Sequence, residues 1–75
     1  MNLQQAIVQS PDKTASNFGK RGWVKVTQKG EEYHVVTEDT PYPYTPSVYT
    51  GLEAVEKAVR LFDGEAWQPY ELPFD

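Results

Sequence analysis

The single histidine, His34, lies in the run "EYHVV", and imidazole is the side chain whose ordinary titration falls nearest neutral pH. A nucleophile–base pair would need Ser10, Ser16, Ser47 or a threonine brought to it by the fold, because no nucleophile neighbours it in sequence. Glu31, Glu32, Glu38 and Asp39 offer paired carboxylates, but adjacent acids in and after a turn are ordinarily solvated. Those acids with His34 are also the available metal ligands, and their spacing matches no metal-binding pattern. Cysteine is absent, which removes disulfides and thiolate sites. "GKRG" at residues 19–22 lacks the long glycine spacing and the following helix of a phosphate loop. The expectation is a protein that is not an enzyme and uses no cofactor and no metal.

Binding chemistry is better represented. Phe18, Lys20, Arg21, Trp23, Lys25 and His34 would place basic and aromatic side chains on one sheet face and its leading loop, the combination that tracks phosphates and stacks bases. Against this stands a net charge of −4, which repels a polyanion unless the basic face is set apart. The charge is unevenly distributed along the chain. Residues 1–30 hold Lys13, Lys20, Arg21, Lys25 and Lys29 against Asp12 alone, whereas residues 31–75 hold only Lys57 and Arg60 against ten acids. An acidic second half can present Glu53, Glu56 and Asp63 to a basic groove, with Trp23, Tyr42, Tyr44 and Trp67 as aromatic anchors. The first expectation is thus a small acidic protein-binding module, a regulator or inhibitor of the kind that phages and mobile elements encode. The alternative is a nucleic-acid-binding accessory domain working through Phe18, Lys20, Arg21, Trp23 and Lys25.

At 75 residues the chain is one small domain, close to the lower limit for a core without staples. "NLQQAIVQSP" does not read as a signal peptide, and no apolar run approaches membrane-spanning length, so a cytoplasmic placement is expected.

Leu3, Ala6 and Ile7 are spaced for one helical face, with Asn2 as cap and Pro11 as stop, which predicts a short first helix. Residues 12–22 read as a loop with Phe18 as its anchor. "GWVKVTQKGEEYHVVTE" reads as a hairpin turning at Lys29-Gly30, pairing Val24 with Val35, Val26 with Tyr33 and Lys25 with His34. Alternation then sends Val24, Val26, Tyr33 and Val35 inward, and Trp23, Lys25, His34 and Val36 outward.

The prolines of "TPYPYTPSVYT" exclude helix and central strand, so residues 40–46 are read as a stiff crossing, its tyrosines folded back over the core edge. It leads to a short edge strand at residues 47–49, through which a homodimer could form. Thr50 and Glu53 match a capping box for a helix carrying Leu52, Val55, Val59 and Phe62 inward and ending at Gly64. Hairpin, strand and helix in this order, with the rhythm of "TGLEAVEKAVRLF", resemble the arm-binding domains of phage integrases. The tail at residues 65–75 carries Trp67, Tyr70, Leu72 and Phe74, which pack back, as a further edge strand, or meet a partner. The fold class expected is α+β: a short N-terminal helix, an antiparallel hairpin with one added edge strand, and a C-terminal helix.

Overall fold

A computed structural model describes residues 1–19 and 22–70. Its elements run α1 (Leu3–Gln9), β1 (Thr14–Gly19), β2 (Gly22–Lys29), β3 (Glu32–Thr37), β4 (Ser47–Thr50), α2 (Leu52–Ala58) and β5 (Gln68–Pro69). The five strands form one antiparallel sheet in the order β4-β3-β2-β1-β5. The α+β architecture expected from the sequence is therefore present, with a wider sheet than the hairpin and single edge strand.

α1 starts as its residues dictate. Asn2 Oδ1 accepts from Gln5 N at 2.8 Å and Gln5 Oε1 accepts from Asn2 N at 2.9 Å, so each side chain satisfies an end-of-helix donor. The chain turns extended at Ser10, ahead of Pro11. Ser10 is buried and ties the turn together, donating to the Tyr70 carbonyl at 2.7 Å and accepting from Asp12 N and Thr14 N.

The segment read as a loop is largely strand β1, paired along its whole length with β2. Its residues, "TASNFG", lack the bulky β-branched alternation of a strand. Neighbours on both sides hold them extended, and only small Ala15 and Asn17 face inward, under the helices. Phe18 is no anchor: it is 76% exposed.

In the hairpin Val26 pairs with Val35, Thr27 with His34 and Lys25 with Val36, so the turn falls on Gly30-Glu31, one position later than read from sequence. Gly30 has φ +65°, the left-handed conformation that glycine adopts without penalty. Moving the turn centre by one residue shifts every partner by two. The parity of the faces survives, and Val24, Val26, Tyr33 and Val35 are all buried.

β4 forms the expected edge on β3, and β5 adds the tail to β1. The Thr50–Glu53 capping box does not form. Thr50 remains in β4 opposite Glu32, and Gly51, at φ +89°, turns the chain and occupies the cap with no side-chain bond. α2 ends at Ala58, capped by Val59, and not at Gly64. The turns that follow bring the Asp63 carbonyl to the Asn17 amide at 2.8 Å and return Trp67 to Met1, where Trp67 N donates to the Met1 carbonyl at 3.0 Å.

The core lies between the two helices and one face of the sheet: Leu3, Ala6, Ile7, Ala15, Val24, Val26, Tyr33, Val35, Val55, Val59 and Trp67. Each fully buried valine contributes on the order of 1.5–3 kcal/mol. Trp67, 2% exposed, belongs to this core, near Leu3, Val59 and Phe62. Among the described residues no helix is long and apolar enough to cross a membrane.

Candidate functional site

Because both helices cover the core side, the other side of the sheet carries no helix among the described residues. Alternation along the strands fixes what that face presents: Thr14, Ser16 and Phe18 from β1, Trp23, Lys25, Thr27 and Lys29 from β2, Glu32, His34 and Val36 from β3, and Val48 and Thr50 from β4. Tyr70 joins them from the residue after β5, its amide donating to the Thr14 carbonyl at 2.8 Å. All of these but Ser16, Phe18, Glu32, Val48 and Thr50 line a cleft of about 720 Å³, closed on the far side by Tyr44 and Pro46. That volume is in the roughly 300–1,000 Å³ range of small-ligand sites.

The far wall is the crossing at residues 40–46. Thr37 N donates to Thr40 Oγ1 at 2.9 Å and Tyr44 N to the Pro41 carbonyl at 2.7 Å, which curls the segment over the outer end of β3. Its tyrosines do not fold over the core edge. Tyr42 is 85% exposed and packs edge-on against Tyr44, ring centroids 5.8 Å apart, while Tyr44 turns toward the cleft. Prolines at 41, 43 and 46 remove the alternate donors that a strand ladder needs, so the segment serves as a rim and not as a further strand.

Lys25 is the best-positioned charge on this face. Its ammonium lies 4.7 Å from the Tyr70 ring centroid and 5.6 Å from that of Trp23, so two aromatic faces hold it by cation–π attraction. The rings orient the ammonium without themselves neutralising it. Among the described residues no carboxylate forms an ion pair with it. Farther along the cleft, Thr14 and Thr27 hydroxyls meet at 3.0 Å, and His34 Nε2 stands 3.6 Å from Glu32 Oε1 without a hydrogen-bond partner. Asp12 and Lys29 also line the cleft. Among the described residues no three histidine or acidic side chains are placed to hold a metal ion together.

The residues singled out from sequence separate into groups. Trp23, Lys25 and Tyr44 come together in the cleft, and exposed Phe18 lies beside it. Glu53, Glu56 and Asp63 are exposed on the helix layer, away from the sheet face that carries Lys25. Trp67 is a core residue, with no surface to offer as an anchor. Lys20 and Arg21 lie outside the described residues, as do Leu72 and Phe74 of the tail.

Sequence reading missed Tyr70 and Lys29. Tyr70 was legible as the outward position of a two-residue rhythm that starts with Trp67 inward. Lys29 was hidden by the misplaced turn, which assigned it to the loop. Scanned against protein-family models, curated proteins and solved structures, the chain gives no match.

Proposed function

We propose that the protein is a small non-enzymatic binding module that takes single-stranded nucleic acid on the open face of its sheet. The observation that carries this reading is the Lys25 ammonium held between the Trp23 and Tyr70 rings at the edge of the cleft. A cation among aromatic planes provides for both parts of a single strand, phosphate and base. The acidic net charge opposes this less than it would on a uniform surface, because Glu53, Glu56 and Asp63 belong to the opposite layer, while Glu32 and Asp12 stand on the binding side with Lys25 and Lys29. At physiological salt, charges more than about 8 Å apart in solvent are largely screened from each other. An unstapled, cysteine-free chain of this kind suits a cytoplasmic setting.

Anisotropy of a labelled twelve-nucleotide oligothymidylate, titrated at low and moderate salt, tests the reading. Binding should weaken with salt, and Lys25→Gln and Lys29→Gln should each reduce the slope of log affinity on log salt by about 0.7. Glu53→Gln and Glu56→Gln should leave binding intact. No binding, or binding indifferent to both lysines, would refute it.

A protein partner held through Glu53, Glu56 and Asp63 is the second reading, favoured by the exposure of all three. It has lost Trp67 as an anchor. Capture of a basic partner that disappears when these three acids are neutralised would restore it to first place.

A further inference from the structure

This inference rests on the single-strand reading of the open face and specifies how the strand is registered on it. Two hollows lie side by side there. The larger extends from Trp23, Lys25 and Tyr70 to Val36, Tyr44 and Pro46. The smaller, about 190 Å³, is bounded by Ser16 and Phe18 on one side and by the same Trp23, Lys25 and Tyr70 on the other. Those three residues therefore form the wall between the hollows, with the Lys25 ammonium set into it. We infer that this wall straddles a single phosphodiester: one base enters the small hollow against Phe18, its neighbour enters the large cleft, and the linking phosphate meets Lys25.

Each part has a physical reason. Phe18 is 76% exposed, an apolar ring kept in water on an otherwise folded strand, and a base plane would cover it. The cation sits between the two hollows, where consecutive bases place their shared phosphate. Its hold on two rings limits the side-chain freedom lost when an anion binds. A duplex cannot make these contacts, because entering separate hollows requires two neighbouring bases to leave their pairs, at a cost of roughly a few kcal/mol each. The recognised unit is thus an unpaired dinucleotide step, of deoxyribose or ribose.

The test is a length series: thymidine 5′-monophosphate, the dinucleotide TpT, the trimer, an octamer, its ribo-counterpart oligouridylate, a duplex of equal length, and a polyglutamate peptide. Affinities are measured together with amide and indole NMR shifts. The Trp23 indole should respond while the buried Trp67 indole stays still. Affinity should rise at least about tenfold from monophosphate to TpT as the second hollow engages, and less from dimer to trimer. TpT or its ribo-analogue should be the shortest ligand to shift both Phe18 and Tyr44; preference between them assigns the sugar, and either supports the step. Phe18→Ala, at an exposed position where folding is not at risk, should lower TpT affinity about fivefold or more and leave the monophosphate unchanged.

If the octamer binds but Phe18 neither shifts nor matters, the two-hollow register is overturned while the single-strand reading stands. If no oligonucleotide binds, that reading falls and this inference with it. Equal binding of the duplex overturns the inference, and polyglutamate producing the same shifts replaces nucleic acid with an acidic peptide.

Discussion

Asn17 shows how one residue can fix a strand that its own sequence does not announce. It is 1% exposed on the core face of β1, and its amide donates to the Asp63 carbonyl while Oδ1 finds no hydrogen-bond partner. A buried polar group is tolerated when its strongest bond is made, and here that bond fastens the chain after α2 to the sheet. Asn17→Asp would set a carboxylate oxygen against the Asp63 carbonyl. The expected loss is on the order of 3–5 kcal/mol by chemical denaturation, as for a buried charge with no partner. Asn17→Leu, which removes the unbonded oxygen together with the donor, should cost less than half as much. A reversed order would mean that the site is wetter than its burial indicates. Residue-scale features were unevenly legible. Trp67 could be read as a core residue because so large an aromatic is costly to leave in water. Asn17 could not, because an asparagine between serine and phenylalanine reads as loop chemistry.

At the scale of elements, parity was legible and punctuation was not. The hairpin faces follow from a two-residue period that survives a misplaced turn, since shifting the turn centre by one residue leaves every side chain on its own side. Helix ends depend on which residue leaves the preceding element, and pairing decides that. Thr50 had the right type and spacing to cap α2, yet its pairing with Glu32 keeps it in the sheet. The two caps therefore give opposite expectations. Asn2→Ala should cost about 1 kcal/mol, because it breaks a formed capping box. Thr50→Ala should stay within about 0.5 kcal/mol. Gly51→Ala should cost about 1 kcal/mol or more for φ alone, since no neighbouring atom lies within 4 Å of the new methyl group. Thermal melts of the three variants check the assignment, and a Thr50→Ala loss matching that of Asn2→Ala would reinstate the box. β1 was illegible for a related reason: its extension is imposed by β2 and β5 and owes little to the propensities of "TASNFG".

At the scale of the whole molecule, the fold divides the chain chemically into two sides. The helix layer carries Glu53, Glu56 and Asp63, and the opposite sheet face carries Lys25 and Lys29 among Trp23, Tyr70 and Tyr44, with Glu32 and Asp12 as acids on that side. Charge separated along the sequence is in part separated in space. Residues 40–46, with their three prolines, are neither a slack linker nor a core cover; they form the rim of the cleft. On the proposed reading the molecule binds through this face. Amide shift mapping with an unlabelled octathymidylate tests it most directly. The largest shifts are expected along the outward positions of β1, β2 and β3, at Tyr44 in the crossing and at Tyr70, while Leu3–Gln9 and Leu52–Ala58 stay unchanged. Shifts concentrated on α2, or a spectrum unaltered at saturating oligonucleotide, would contradict it.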